Sequence, residues 1–302
     1  MSKTKNITKP KLIIILGPTA SGKSDLAVDL ARRFNGEIIS ADSRQVYRGM
    51  NIGSGKITQH EMRGVPHYCL DVASPRLRYT VAHFKKNAET AIKKIQAKNK
   101  IPIICGGTGQ YINAVIYNWQ IPAVKPNLKL RAKLEKLSAD ELYKKLKKLD
   151  PRRAKNIDPR NPRRLIRAIE IAEKLGAVPL LKTNSPFNAL TLGPKKSPIE
   201  LKRRIATRLE KRLKQGMLAE VKKLRSQGVS WQKLDDFGLE YRWLARYLQK
   251  KIPRKEMAER LKKDIEHYAK RQMIWFKKYN PQTCWIKNSQ TAIRLAEKFL
   301  QS

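Results

Sequence analysis

The feature that most constrains this chain is residues 12–24, LIIILGPTASGKS. Four apolar residues, 12–15, predict a buried parallel strand. They run into Gly17-Pro18-Thr19-Ala20-Ser21-Gly22-Lys23-Ser24, which fits G-x-x-x-x-G-K-[ST] at every fixed position. Gly17 and Gly22 let backbone N–H groups curl around an anion, Lys23 neutralises it, and Ser24 can hold a Mg²⁺ that bridges its oxygens. A helix over residues 25–33, with Leu26, Ala27 and Leu30 on one face, points its positive N-terminus at the same spot. A chance glycine-rich turn would lack this flanking strand and helix. The loop reads as a diphosphate or triphosphate site.

At 302 residues the chain can bury a sizeable core, as one large domain with an insertion or as two domains. Its 66 Lys and Arg against 25 Asp and Glu give a net charge of +41, while 41% hydrophobic residues exclude a disordered basic tail. A folded surface so positive points to a polyanion, foremost nucleic acid. Adaptation of a whole proteome to an unusual medium is the competing source of such a balance. Cys69, Cys105 and Cys284 are widely separated without metal-ligand spacing, as for reduced thiols in a cytosol. The first eleven residues are polar and basic and lack the apolar core of a signal peptide. No later stretch is long enough to span a membrane, so a cytoplasmic protein with no membrane partner is expected.

A second strand, residues 37–41, ends in Asp42-Ser43-Arg44-Gln45. Ligands of an open α/β sheet bind at strand ends beside the phosphate loop, which puts Asp42 where a general base belongs. On residue type alone an Asx turn or helix cap serves equally. Residues 65–72 predict a third strand, with Asp71 at its end as a magnesium-organising aspartate or a turn residue, and His67 in a local hydrogen bond. An amphipathic helix over residues 80–98 follows, capped by Thr80. A fourth strand, residues 101–105, then runs into Gly106-Gly107-Thr108-Gly109 at the same edge of the sheet. Thr108 can donate to a phosphate there, although a plain turn is the default for such a short motif.

After Tyr117 the character changes. Prolines in WQIPAVKPN suggest a linker, and three helical patterns follow: residues 128–137, a second opened by the capping box at Ser138 and Glu141, and a third starting at Asn161-Pro162 and stopping at Gly176. Residues 125–182 hold 18 Lys and Arg against 7 Asp and Glu. Arg163, Arg164 and Arg167 crowd the first turns of the third helix, where carboxylates are preferred; phosphate contacts explain that placement better than stability does. The division expected is a phosphate-loop core in residues 1–119, a basic all-α insertion in 120–186, and core completion with C-terminal helices in 187–302. The last part begins with a strand over 187–192 and a helix over 199–215 carrying Arg204, Arg208 and Arg212 at i, i+4 and i+8, a stripe that usually marks a solvated face. A turn over 236–242, a long helix over 256–279, a short strand over 283–286 and a final helix close the chain.

Six segments, GPTASGKS, ISADSRQVYRGMNIGSGK, GGTGQY, NPRRLIRAIE, RIATRLEKRLKQGMLAEV and YAKRQMIWF, resemble in order and spacing the tRNA dimethylallyltransferase (tRNA isopentenyltransferase) family. The resemblance spans residues 12–276. It implies a P-loop NTPase-like parallel sheet flanked by helices, working as a monomer on the anticodon stem-loop of tRNA. The loop would hold dimethylallyl diphosphate rather than ATP. The acceptor would be the exocyclic amine of the adenosine 3′ of the anticodon, in tRNAs reading codons that begin with U. By the same resemblance Asp42 takes a proton from that amine, and Thr19 hydrogen-bonds the oxygen bridging the allylic carbon to the leaving group. Lys23, Arg208 and Mg²⁺ at Ser24 stabilise the departing diphosphate, and Thr108 lies near the reacting nucleotide. The segment Asp42, Ser43, Arg44, Gln45, the segment Arg163, Arg164, Leu165, Ile166, Arg167, and the turn with Phe237, Gly238, Tyr241 and Arg242 match tRNA-contacting stretches. Two places depart from the family: its Gly-Tyr pair is split here as Gly238-Leu239-Glu240-Tyr241, and its I-G-T-A-K reads Ile52-Gly53-Ser54-Gly55-Lys56.

Two other classes compete. A small-molecule or nucleoside kinase would use the loop for ATP but has no need of +41. A basic nucleic-acid-binding NTPase would want a hydrophobic strand ending in paired acidic residues, which the sequence lacks.

Overall fold

The computed structural model describes residues 9–180 and 184–302. The basic leader through residue 8, and residues 181–183 of the expected insertion, lie outside the described residues. Contacts divide the chain into two compact units, one of residues 1–118 and 184–302, the other of residues 119–183.

The first unit opens with β1 (Lys11–Leu16), α1 (Lys23–Arg33), β2 (Gly36–Ser40), α2 (Gln59–Met62) and β3 (His67–Tyr68). It continues through α3 (Val81–Gln96), β4 (Ile101–Gly106) and α4 (Gly109–Ile116). The second unit holds α5 (Leu128–Leu134), α6 (Ala139–Leu149), α7 (Pro151–Lys155) and α8 (Pro162–Leu175). The chain then completes the first unit with β5 (Asn188–Pro194), α9 (Pro198–Lys214), α10 (Met217–Ser226), α11 (Trp231–Phe237) and α12 (Leu239–Leu248). Last come α13 (Arg254–Tyr279), β6 (Cys284–Ile286) and α14 (Ser289–Gln301).

All strand pairings are parallel, in the order β3-β2-β4-β1-β5-β6. The strand before the phosphate loop is central, with Ile13 opposite Ile103 on one side and Leu190 on the other. It is apolar throughout because both faces are covered. Leu12, Ile14 and Leu16 point into the core shared with α3, α4 and the helices after β5, while Ile13 and Ile15 point to the core under α1 and α14. This α/β sheet flanked by helices is the architecture the loop motif predicts, and it puts the C-terminal ends of β1, β2 and β4 side by side.

Residues 65–72 yield two strand residues rather than eight, because Cys69 and Asp71 take left-handed φ angles of 63° and 54°. Asp71 is bound to Lys56 at 2.5 Å, which favours its reading as a turn residue.

The helical unit has its own core of Leu134, Leu142, Leu146, Ala154, Leu165 and Ile169. The capping box at Ser138 and the Asn161 cap form as the sequence suggests. The five-residue α7 has no periodicity long enough to announce it. Leu165 (0% exposed) and Ile166 (6%) lie in this core, which corrects their assignment to the tRNA surface: position on the helix turns them inward, and Arg163 and Arg164 outward. Arg167 is half-buried and binds Glu170 and the Val124 carbonyl at 3.2 and 2.8 Å, so it braces the unit.

Candidate active site

The ends of β1, β2 and β4 open onto a cavity of about 490 Å³ within the first unit. It brings together Thr19, Lys23, Ser24, Asp42, Ser43, Arg44, Gln45, Arg208, Phe237, Gly238 and Arg242, residues that sequence reasoning took from four separate stretches. The loop wraps from Gly17 to Gly22, whose φ of +90° precedes the first turn of α1. Pro18 turns its carbonyl to the Lys23 ammonium at 3.2 Å. Ala20 and Ser21 are buried (3% and 1% exposed), so they shape the loop from beneath.

Lys23 is half-buried, and burial pulls its pKa down, as do the nearby guanidiniums of Arg208 and Arg212; Cys105 and Asp42 push it back up. Arg208 opens onto the cavity, yet burial, followed by the neighbouring Arg212, pushes its pKa down to about 10. Of the i, i+4 stripe on α9, Arg208 and Arg212 face the cavity, Arg208 exposed to its solvent and Arg212 half-buried, while Arg204 pairs with Glu200. The two cavity guanidiniums are held close together against their mutual repulsion. Such a cluster stabilises whatever anion enters.

Asp42 makes the Asx turn and remains available for chemistry. Its Oδ1 accepts the N–H groups of Arg44 (2.8 Å) and Gln45 (3.3 Å), which fixes the carboxylate, and Oδ2 accepts from no described residue. Thr108 does not line the cavity. Its N–H donates to Ala41 O at 3.1 Å and its Oγ1 accepts the Ser43 N–H at 3.0 Å, so it ties the second glycine turn to the Asp42 segment. Arg44 donates to the Phe237 carbonyl at 2.8 Å.

One expected nucleic-acid contact, Tyr241, is corrected by burial, while Phe237 and Gln45 line the cavity with their side chains engaged within the protein. Tyr241 is 1% exposed, with its hydroxyl on Glu220 at 2.9 Å. The Phe237 ring is packed against Tyr47 at 5.0 Å and flanked by Arg44 and Lys233. The Gln45 amide is occupied at both ends, accepting from Ser40 Oγ and donating to Gly55 O. Gly238 and Arg242 stay at the cavity wall.

Sequence reasoning missed Gln272, which is 6% exposed. Its Oε1 accepts the Thr19 N–H at 2.9 Å and its Nε2 donates to Gly107 O at 2.8 Å. It staples the two glycine turns together, and a Cβ on Gly107 would collide with that amide. The signal was present: α13 buries Met257, Leu261, Ile265, Ala269 and Phe276, and Gln272 falls in the same apolar spacing. Tyr268 and Arg271 from the same helix also line the cavity. Burial, then the Asp42 charge, pushes the Tyr268 phenol up.

Among the described residues no group of three His, Cys, Asp or Glu side chains is placed to hold a metal ion, and no helix is long and apolar enough to cross a membrane.

The profile of the IPP transferase family matches residues 45–279. The tRNA dimethylallyltransferase 2 of Citrifermentans bemidjiense is 42% identical over 270 residues, covering 89% of this chain and 87% of that protein. The tRNA dimethylallyltransferase of Anoxybacillus flavithermus is 40% identical over 277 residues, covering 90% and 88%. A solved tRNA delta(2)-isopentenylpyrophosphate transferase from Staphylococcus epidermidis is 36% identical, with a TM-score of 0.71 over 97% of this chain and 99% of that one. A eukaryotic dimethylallyltransferase acting on tRNA, 29% identical, superposes with a TM-score of 0.85 over 97% of this chain and 80% of its own.

Proposed function

This chain belongs to the IPP transferase family, and on that premise we propose that it transfers a dimethylallyl group from dimethylallyl diphosphate to the N6 amine of the adenosine 3′ of the anticodon, in tRNAs reading codons that begin with U. The observation that carries this reading is one cavity holding both halves of the chemistry. Lys23, Arg208 and Arg212 form an anion site, and Asp42 presents a free carboxylate oxygen.

The amine nitrogen attacks the allylic carbon while the bond from that carbon to the diphosphate oxygen breaks, its electron pair leaving with diphosphate. The amine proton passes to Asp42 Oδ2. An aromatic amine is a weak nucleophile until a base can take that proton. Negative charge grows on the leaving oxygens, so the Lys23 ammonium and Arg208 guanidinium do most when the bond is nearly broken. Thr19, its N–H fixed by Gln272, is placed to hydrogen-bond the bridging oxygen. Unstacking the adenosine costs roughly a few kcal/mol, and tRNA contacts by exposed Arg163 and Arg164 help offset it.

Mg²⁺ suits this site, because magnesium keeps most of its waters and takes few protein ligands beside substrate phosphates. Ser24 Oγ at the loop's end is the protein oxygen that would hold it. Bound there, the ion would neutralise diphosphate charge. The three cysteines are free thiols, which agrees with a reducing cytoplasm, where the protein would act as a monomer.

Incubation with unmodified tRNA, labelled dimethylallyl diphosphate and Mg²⁺, without ATP, tests the reading by nucleoside analysis. Label in the adenosine beside the anticodon is expected. An unlabelled tRNA with ATP consumed instead would restore the kinase reading, which the names of the relatives do not favour.

A further inference from the structure

We propose that Arg212 is a third cation of the diphosphate site, beside Lys23 and Arg208, and that Glu240 weakens its grip, so that product diphosphate can leave. This rests on the donor reading above.

Arg212 follows Arg208 by one turn of α9, so both guanidiniums leave the same helix face and line the same cavity as Lys23. The Arg212 side chain is 13% exposed, and its position is fixed from three sides. Nη1 lies 3.2 Å from Glu240 Oε1 and donates to the Gly53 carbonyl at 3.4 Å. Nη2 lies over Gly55, where a Cβ would overlap the guanidinium. Gly55 has a φ of +59°; it satisfies the turn and leaves the space bare, so the side chain can lie across the loop. Nη2 has no acceptor among the described residues. Glu240 is itself buried, and it is the carboxylate in direct contact with this cluster. Among the described residues Arg208 has no ion pair.

Three cations aimed at one leaving group create a product problem. Breaking the carbon–oxygen bond transfers an electron pair to diphosphate, so the product carries more negative charge than the esterified donor. Cations positioned for the transition state hold that product more tightly than the substrate. A buried carboxylate on one of the three lowers the local potential and limits the effect. Arg212 remains hydrogen-bonded and oriented, but its charge is shared.

The probe is inorganic diphosphate with Mg²⁺, its binding measured by titration calorimetry on the whole protein. Glu240→Gln keeps a hydrogen-bond acceptor for Arg212 and removes the charge. It is expected to tighten diphosphate binding on the order of tenfold, and Arg212→Gln to loosen it by a similar factor. In the Arg212→Gln background the Glu240→Gln effect should vanish. Steady-state turnover by Glu240→Gln should slow relative to its own single-turnover rate, as expected when product release becomes limiting. A merely structural role would loosen binding in both variants and lower their melting temperatures together. Unchanged or looser binding in Glu240→Gln, or tightening that persists without Arg212, overturns the proposal. If the wild type itself ignores diphosphate, the donor reading falls as well.

Discussion

In the helical unit the buried carboxylate of Glu170 accepts from Arg131 through both oxygens at 2.7 and 2.6 Å, from Arg167 at 3.2 Å and from the Asn127 N–H at 2.9 Å. Asp150 accepts the N–H groups of Arg153 and Val178, each at 2.8 Å. There, buried acid is surrounded by donors until every oxygen is satisfied. In the sheet unit's cavity the imbalance runs the other way: Lys23, Arg208 and Arg212 crowd together with, among the described residues, one ion-paired carboxylate, Glu240. The first arrangement is architecture, since it closes on itself. The second is completed only by an incoming anion. A net charge of +41 does not separate the two; the partners of each cation do.

That contrast can be broken most sharply at Asp42. Asp42→Asn keeps an oxygen for the Arg44 and Gln45 N–H groups but takes no proton, so kcat should fall about 100- to 10,000-fold while tRNA affinity holds. Near-normal turnover would remove Asp42 as the base. Arg208→Gln should lower kcat/KM about 100- to 1,000-fold with little change in melting temperature, as expected of a cation with no ion pair among the described residues.

Glu170→Ala should do the reverse, destabilising the helical unit by about 3 kcal/mol in denaturant unfolding, because it strands donors that were arranged around it. A stable Glu170→Ala protein would mean that water replaces the carboxylate. Burial pushes the Glu170 carboxyl up, but its hydrogen bonds with Arg131, Asn127 and Arg167 outweigh this and hold it below the ordinary range. Its stabilisation is thus full above the unfolded pKa of about 4.3 and fades as pH falls towards the folded one. Acid titration of helicity in wild type and Glu170→Ala tests that sign.

Gln272→Leu removes both bonds of the staple between the glycine turns, a loss of about 1–3 kcal/mol. It should depress kcat more than donor affinity, and equal effects on both would make Gln272 a plain packing residue. The smallest effect belongs to the exposed pair. Arg163→Ala with Arg164→Ala should reduce the slope of log K against log salt for tRNA binding by about 1–2. An unchanged slope would take the start of α8 off the RNA.

What was legible in the sequence follows from range. The loop from Gly17 to Ser24 and its strand declare themselves because spacing and apolar run are local. The stripe on α9 was visible, but spacing alone gave it no meaning: Arg208 received its role from the family resemblance and Arg212 received none, because whether a helix face meets water or a cavity depends on what α9 packs against. Tyr241, Leu165 and Ile166 were misplaced because a segment that matches an RNA-contacting stretch still turns some side chains inward. β3 was overextended since nothing in residues 65–72 reveals the left-handed Cys69 and Asp71. The Gln272 bonds to Thr19 and Gly107 span 253 and 165 residues, beyond any local pattern.

The sheet order also sets a timetable for synthesis. β1 is the first strand made, yet its neighbour β5 begins at Asn188, and the cavity draws on Thr19 and Gln272 alike. An emerging chain therefore carries its phosphate loop for some 250 residues before the wall behind that loop exists. The helical unit, with its core between Leu134 and Ile169, has all its partners at hand long before. A growing polypeptide can thus own a finished helical module while lacking a complete cavity, and a transcript cut short within α13 would yield a protein without the staple that joins its glycine turns.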